Sequence, residues 1–244
     1  MYKEIRFPQN AEAAWAATKP LLVEDGSYFG DILSRFAMSS RAKPLTLFVP
    51  WGVRPAGEFG SKETEALDAV QAYQRLLGKN GVYSNVLVMP ADVYATEVNN
   101  YEASAASRYF STVTRAAQRK GFEVAPWSQI RQANQRMYDR ITQREASLES
   151  LWRSTPKSLW GDLLNAATRR SKQDKDDIAK AAFDYLKERV AEARIIDDVY
   201  KPIKISMVSP KKDNVVDRDL PRLYILPRNL RFPWMPDMGG VYER

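Results

Sequence analysis

The sequence predicts an α/β fold, Rossmann-like, with a mostly parallel sheet flanked by helices. Short continuous apolar runs alternate along the chain with amphipathic segments of helical periodicity. Continuous apolar runs are typical of strands buried on both faces, and their alternation with helices is typical of right-handed parallel crossovers. The 244 residues show no internal repeat and no linker, so we expect a single domain over residues 1–244.

Five strands are predicted, and the first is the most clearly marked. Residues 44–50 read Pro-Leu-Thr-Leu-Phe-Val-Pro, an apolar run that a proline closes at each end. Residues 86–89, Val-Leu-Val-Met, form the second predicted strand. The remaining predicted strands cover residues 122–124, 203–207 and 223–226.

The predicted helices fill the segments between these strands. Asn10, Ser128 and Asp174 are each expected to cap a helix, because their side chains accept hydrogen bonds from free backbone N–H groups. The predicted helices cover residues 11–18, 28–36, 61–78, 101–120, 128–151 and 174–190. Residues 156–197 are strongly charged, and we expect them to form a helical insertion or cap before the last two strands.

The chain contains no Cys and no His. This excludes a disulfide framework, a thiol nucleophile, a Ser-His-Asp triad and a zinc site with Cys and His ligands. A carboxylate site for magnesium or calcium stays open, because hard cations need only oxygen ligands. No metal site and no cofactor is predicted, and acid–base chemistry falls to Asp, Glu, Lys or Tyr.

Location is predicted from what the sequence lacks. No segment approaches the roughly 20 apolar residues of a membrane span. The first residues, MYKEIRFPQN, have no apolar core like that of a signal peptide. We therefore expect a cytoplasmic protein without a membrane partner, and the sequence does not indicate its oligomeric state.

Ligands in open α/β sheets bind beyond the carboxyl ends of the strands, and three segments occupy that position. The first is the loop of residues 51–60, where Trp51, Gly52 and Arg54 are candidates for substrate binding. A glycine allows close backbone approach, and Arg54 offers a cationic fork for a phosphate or carboxylate. The alternative is a Pro/Gly turn with one exposed arginine.

The second segment follows the second strand and contains Asp92, Tyr94 and Glu97. These side chains offer an acid, a base or a ligand for an amine, and their position after a buried strand favours a functional role. The alternative is that Asp92 and Thr96 organise a turn or cap the next helix.

The third segment is the C-terminal stretch. Its candidates for catalysis or for binding a phosphorylated or aromatic ligand are Lys204, Ser206, Arg222, Arg228, Arg231 and Trp234. Lys204 and Ser206 lie on one face of their strand, because residues two apart share a face. The alternative is that the arginines hold the tail onto the core.

The net charge is 37 − 30 = +7, which raises the possibility of a polyanionic partner. One local basic run comprises Arg169, Arg170, Lys172 and Lys175. Aspartates at 174, 176 and 177 compensate part of this positive charge, and a run of mixed charge is typical of a solvated helix face. RNA binding is therefore an alternative that rests on composition, without an RNA-binding motif.

The order of segments resembles that of the isocyanide (isonitrile) synthases. The family's first strand, proline-containing loop and acidic helix start are similar to Leu-Phe-Val-Pro50, the Arg54 loop and Glu63-Thr-Glu-Ala-Leu67. Its second strand and Asp-containing loop are similar to residues 86–89 and Asp92-Val-Tyr94.

The C-terminal part of this resemblance is the most specific. An Arg-Leu-Ser-Ile-His-Pro-like strand of the family is similar to Lys204-Ile-Ser-Met-Val-Ser-Pro210, and a Thr-Pro-Trp-His-like element is similar to Phe232-Pro-Trp-Met235. The two histidines of the family fall on Val208 and Met235, and its strand arginine falls on Lys204. The resemblance is therefore that of a remote relative of this family.

The resemblance implies that an amino-acid amine condenses with the ketone of ribulose 5-phosphate, and that carbon–carbon cleavage then leaves the isonitrile carbon. It implies an amino acid and a phosphorylated sugar as partners. Asp92 or Glu97 would be the acid or base, and Arg54 and Lys204 would bind anions. Tyr94 and Trp234 would line an aromatic pocket.

Two alternatives to this enzyme remain at the sequence level. One is an RNA- or tRNA-binding, or tRNA-dependent, α/β protein without isonitrile chemistry, since one scaffold hosts many functions. The other is a protein that only binds the ligand of the family, because it lacks both histidines.

Overall fold

The computed structural model describes residues 8–22, 29–53, 59–170, 177–206 and 220–224. Within these residues, five strands form one sheet in the order β3-β2-β1-β4-β5, and every pairing is parallel. The strands are β1 (Leu45–Trp51), β2 (Ser84–Pro90), β3 (Glu123–Val124), β4 (Ile203–Ser206) and β5 (Arg222–Tyr224). The predicted α/β fold is confirmed.

Helices cover both faces of the sheet. They are α1 (Gln9–Thr18), α2 (Phe29–Met38), α3 (Ser61–Lys79), α4 (Ala103–Arg119), α5 (Trp127–Ala133), α6 (Gln135–Arg144), α7 (Leu148–Ser154), α8 (Lys157–Arg170) and α9 (Ile178–Tyr200). A 3₁₀ turn follows α1 at Lys19–Leu21, and a π-helix follows β2 at Tyr94–Val98. Among the described helices, none is long and apolar enough to cross a membrane.

The predicted long helix over residues 128–151 is wrong, because the chain forms α5, α6 and α7 instead. Asn134 lies between α5 and α6, and its side-chain amide donates to the Ile130 carbonyl at 2.9 Å, which ends α5. Ser147 accepts a hydrogen bond from the backbone of Ser150 at 3.3 Å and so begins α7. Apolar residues keep their helical spacing across the breaks at Asn134 and Ser147, so the sequence pattern does not show where the helices end.

Two predicted caps are also wrong. Helix α1 begins at Gln9, so Asn10 lies inside it and accepts a hydrogen bond from the next backbone N–H at 3.0 Å. Helix α5 begins at Trp127 after Pro126, so Ser128 is likewise inside the helix. Asp174 lies outside the described residues.

Strand β1 is apolar throughout because both of its faces are buried. Leu47 and Val49 pack with helices α1 to α4 on one side of the sheet, in what we call the first core. Phe48 packs with helices α5 to α9 on the other side, in the second core. A central strand between two helical layers has no face in contact with solvent, so polar residues are not needed at alternate positions.

The strand order places the topological switch point between β1 and β4. From β1 the chain moves outward to β2 and β3, and it then returns to the other side of β1 to form β4 and β5. Strand β1 ends at Trp51 and β4 ends at Ser206, and in such sheets ligands bind in the crevice beyond the carboxyl ends of the two strands at the switch point.

Candidate functional site

Several of the predicted site residues cannot be placed. Arg54, Arg228, Arg231 and Trp234 lie outside the described residues. Ser206 is the last residue of β4, and only its backbone is described. Gly52 directly follows β1, at the predicted position beside the switch point.

Asp92 connects the end of β2 to the start of α5. The backbone N–H of Ser128 donates to its carboxylate at 3.0 Å, and the Ser128 hydroxyl donates to the other oxygen. The Thr96 hydroxyl donates to the Asp92 carbonyl at 3.1 Å, as in the predicted turn-organising alternative. These contacts fix the loop after β2 relative to α5.

Glu97 forms a two-pronged ion pair with Arg131, at 2.7 and 3.0 Å. The Glu97 side chain is 55% exposed, so this pair lies at the surface. Arg131 continues inward, where it donates to Glu188 of α9 at 3.3 Å. Burial lowers the pKa of Arg131, but its pairing with Glu97 and Glu188 outweighs burial and raises it overall.

Glu188 is a carboxylate buried in the second core, only 3% exposed. The Trp127 indole donates to it at 2.8 Å, and the Tyr138 hydroxyl and Arg131 donate to its other oxygen. A buried carboxylate is tolerated when it is paired and hydrogen-bonded, and these three donors meet that condition. Glu188 thus joins α5, α6 and α9.

Glu192 lies one helical turn after Glu188 and is 1% exposed. Arg189 donates to its carboxylate along the helix. Residues four apart on a helix share a face, so both carboxylates of α9 lie on the side that packs into the protein.

Tyr94 is buried beside these α9 residues. Burial raises its pKa well above the ordinary value, and the neighbouring Glu192 carboxylate raises it further, whereas Arg189 acts in the opposite direction. Its ring packs edge-on against Tyr185 of α9, with ring centroids 5.6 Å apart. Tyr94 therefore keeps its phenolic proton at neutral pH.

The π-helix positions Tyr94. Asn99 closes the wide turn, with its backbone and side-chain nitrogens both donating to the Tyr94 carbonyl, at 3.0 and 2.7 Å. Asn100 then adopts a left-handed conformation with φ of 53°. Single π-turns are rare and frequently occur at functional sites.

Lys204 and Arg222 lie side by side on neighbouring strands, and each is 4% exposed. Their strand neighbours Ile203, Ile205 and Leu223 pack into the first core. Because successive side chains alternate between faces, the two cations lie on the opposite face, against which α9 packs. Two adjacent buried cations need anionic partners to offset the cost of burial.

These residues define the candidate site. We name as the buried charged cluster the buried residues Tyr94, Glu188, Glu192, Lys204 and Arg222, which lie on one face of the sheet, and the partner of Glu192, Arg189, whose side chain is 12% exposed. Three of its members, Tyr94, Lys204 and Arg222, were predicted as site residues from the sequence.

The sequence interpretation missed the α9 residues, although a signal for them exists. Tyr185, Glu188 and Glu192 are spaced by three and four residues, so both carboxylates fall within the apolar stripe of α9. Charged residues in a predicted buried stripe indicate buried polar contacts, and this pattern identifies Glu188 and Glu192.

A second buried network lies on the other face of the sheet. The Trp51 indole donates to the Tyr109 hydroxyl at 3.2 Å, and that hydroxyl donates to Glu63 at 3.3 Å. The other oxygen of Glu63 accepts from the backbone N–H of Gly60 at 2.8 Å. Trp51 is thus engaged with α3 and α4, and the network fixes both ends of the loop after β1.

In the described part of the chain, no group of three or more Asp or Glu residues is arranged to hold a metal ion.

Comparison with known proteins gives structural neighbours only. No family model and no curated protein matches the sequence. The structure is similar to that of the PvcA protein from Pseudomonas aeruginosa, with a TM-score of 0.65 at 14% identity, over 92% of this chain and 87% of that chain. This likeness shows a shared fold.

Weaker similarity extends to two cyclodipeptide synthases. One, from Candidatus Glomeribacter gigasporarum, was solved bound to Phe-tRNAPhe; its TM-score is 0.47 at 13% identity, over 84% of this chain and 94% of that chain. The other, from Fluoribacter dumoffii, has a TM-score of 0.49 at 10% identity, over 73% of this chain and 88% of that chain.

Proposed function

We propose that this protein is an enzyme acting on the amine of an amino acid, and that it forms an isonitrile with a ketose phosphate such as ribulose 5-phosphate as carbon donor. The observation that carries the proposal is the buried charged cluster, whose carboxylates, cations and protonated phenol lie on one face of the sheet. Such an arrangement is costly to bury, and clusters of this kind are concentrated at functional sites.

The cluster matches the charges of the proposed substrates. An amino acid carries an ammonium and a carboxylate, and a ketose phosphate adds a dianion. Glu192 is suited to the ammonium, and the adjacent cations Lys204 and Arg222 are suited to a carboxylate or phosphate. Glu188 is engaged by three donors, so its role is to position Arg131 and Tyr138.

The proposal moves proton transfer from Asp92 and Glu97 to Tyr94 and Glu192. Asp92 holds the start of α5 through two hydrogen bonds from Ser128 and Glu97 is 55% exposed at the surface, whereas Glu192, although paired with Arg189, is buried beside Tyr94. In the condensation, the amine nitrogen bonds to the ketone carbon, loses two protons, and the ketone oxygen leaves as water. Tyr94 is protonated and so able to donate to that oxygen, while Glu192 accepts a proton from the amine.

Tyr94→Phe tests this assignment, because it removes one hydroxyl and keeps the ring. We expect the rate of isonitrile formation from carbon-labelled ribulose 5-phosphate to fall by about 10²–10⁴-fold, the usual range for loss of a general acid. The matched control is Tyr73→Phe, which removes a buried hydroxyl from the other face of the sheet, where it contacts Thr18.

Two results would contradict the proposal. Unchanged turnover in folded Tyr94→Phe protein would remove Tyr94 from the chemistry. If neither ribulose 5-phosphate nor any amino acid stabilises the protein in a thermal-shift panel, the substrate class itself is wrong, since a ligand at a hundred times its Kd stabilises by about 2.7 kcal/mol.

A second candidate function is a reaction of the same cluster on an RNA-linked or tRNA-linked amino acid. The observation that favours it is the net charge of +7 together with a row of exposed arginines on α6, which is described below. The discriminating measurement is turnover of free amino acid against aminoacyl-tRNA at two salt concentrations. Dependence on tRNA that high salt abolishes would favour this candidate.

A further inference from the structure

Helix α6 carries a row of three exposed arginines, Arg136, Arg140 and Arg144. They are four residues apart, so their side chains lie on one stripe at steps of about 6 Å along the helix axis. None of the three forms an ion pair with another residue in the described part of the chain. A row of uncompensated guanidinium groups is thus presented to solvent.

The nearby carboxylates do not neutralise this row, because other groups engage them. Glu145 pairs with Arg194 of α9 at 3.1 Å, and Glu149 pairs with Arg153 within α7. Asp139 accepts a hydrogen bond from Gln135 at 2.8 Å. Asp139 keeps its negative charge, because Gln135 is neutral, so the row retains a net charge of 3 − 1 = +2 that is available to an external anion.

An exposed aromatic side chain lies on α7, the helix that follows this row. Trp152 of α7 is 68% exposed, although its indole packs against Trp160 with ring centroids 5.7 Å apart. Between the end of α6 and α7 runs a shallow depression lined by Arg144, Ser147, Glu149, Ser150, Arg153 and Ser154. The depression joins Arg144, the last arginine of the row, to α7, the helix that carries Trp152.

We propose that this α6–α7 surface, formed by Arg136, Arg140, Arg144 and Trp152, binds single-stranded nucleic acid. The guanidinium groups bind consecutive phosphates, and one base stacks on the exposed indole. A positively charged track beside an aromatic platform is the physical basis of single-strand binding, since every base has a face that can stack. The surface is separate from the buried charged cluster, so binding is measurable without turnover.

Charge alone does not select this surface. Helix α4 carries a similar exposed stripe, Arg108, Arg115 and Arg119, but the exposed side of that helix has no aromatic residue. The exposed Tyr83 is accompanied by Arg41, which lies over its ring, and not by a row of three arginines on one helix, as on the α6–α7 surface. Helix α4 therefore provides a control of equal charge.

The test is fluorescence anisotropy with a labelled single-stranded oligoadenylate RNA of about 12 nucleotides, a length within the usual site size. We expect Arg140→Gln/Arg144→Gln to weaken binding about tenfold at 0.1 M salt. The slope of log K against log salt should become shallower by about 1.4, or about 0.7 for each phosphate that the variant no longer binds. Trp152→Ala should weaken binding about tenfold and leave the slope unchanged.

The matched control is Arg115→Gln/Arg119→Gln on α4, which should change affinity less than about twofold. The proposal is overturned if this control weakens binding as much as the α6 variant, because the RNA then responds to net charge. It is also overturned if the α6 and Trp152 variants, with unchanged melting curves, bind as the parent does. Association with anionic phosphatidylserine vesicles in place of RNA would equally overturn it, in favour of a membrane surface.

Discussion

At the scale of single residues, the feature that most needs explanation is the carboxylate of Glu188 inside the second core. Isolated burial of a charge is prohibitively costly, and the group is retained only because an indole, a phenol and a guanidinium all point at it. Each of these donors in turn depends on Glu188 as acceptor. Removal of the carboxylate therefore leaves several buried donors unsatisfied at once.

Glu188→Ala should lower the free energy of unfolding by about 3–5 kcal/mol, the range for removing one partner of a buried ion pair. Urea denaturation monitored by circular dichroism measures it. The control is Glu149→Ala, which removes an exposed partner of Arg153 and should cost less than about 1 kcal/mol. Equal effects of the two substitutions would show that the Glu188 contacts do not stabilise the fold.

At the scale of elements, the C-terminus of α9 has an unusual end. Lys201 follows the helix in a left-handed conformation with φ of 45°, and its backbone N–H donates to the Asp197 carbonyl at 3.0 Å. Glycine commonly occupies this position, because a Cβ atom is strained there. Lys201 is exposed, and the loop it begins leads directly into β4.

Lys201→Gly should raise the free energy of unfolding by about 1 kcal/mol, because glycine adopts positive φ without strain. Thermal and urea unfolding measure the gain. Lys201→Ala is the matched control, since it removes the same long side chain and keeps the Cβ atom. A gain with alanine as large as that with glycine would assign the effect to the lysine side chain and not to backbone strain.

The segment from α5 to α7 shows how element boundaries depend on single polar residues. Apolar positions recur with helical spacing across residues 128–151, and this pattern alone predicts one helix. The side chains of Asn134 and Ser147 bond to nearby backbone groups and so end or begin a helix within that span. These breaks turn α6 so that Tyr138 meets Glu188, and they leave Trp152 on the surface.

At the scale of the whole molecule, the sheet order brings together residues that are far apart in sequence. Strand β4 pairs with β1, which places Lys204 opposite Phe48, and β5 then places Arg222 opposite Lys204. The crossover through α5 to α9 returns the chain to the second face of the sheet. The members of the buried charged cluster share this face because α9 packs against the π-helix, and because Lys204 and Arg222 lie on the same side of the sheet as Phe48.

Burial of tyrosine hydroxyls makes the stability of the folded protein decrease at alkaline pH. Burial raises the pKa values of the described residues Tyr73, Tyr94, Tyr138 and Tyr200. The folded protein then holds these protons more tightly than the unfolded chain does. Stability from this source is complete below the unfolded pKa of about 10 and declines as the pH rises towards the folded values.

We therefore expect the free energy of unfolding to fall above about pH 10, and to fall less steeply in Tyr94→Phe, which has one buried phenol fewer. Urea denaturation between neutral and alkaline pH measures both slopes, with the neutral values as the reference. The same slope in Tyr94→Phe and the parent would show that Tyr94 does not contribute.

The sequence by itself determined the α/β class, the positions of the five strands and the shared strand face of Lys204 and Ser206, whereas the place of Arg222 in β5 came from the structure. Continuous apolar runs and the two-residue alternation of strands are local properties of the sequence, so they can be recognised without knowing which elements pack together. The switch-point rule likewise led to Tyr94, because it depends only on where a strand ends.

Only the tertiary structure decided what each polar group contacts. Asp92 meets Ser128 and Glu188 meets Trp127 across 36 and 61 residues, so no local pattern contains these pairs. The arginine row of α6 has no ion-pair partner among the described residues, and this too depends on the tertiary structure. The basic run that stands out in the sequence, at residues 169–175, instead contains acidic residues as well. Local periodicity determines which side chains are buried, but the partners of a buried charge depend on which helices pack together, and the order of the sheet determines that.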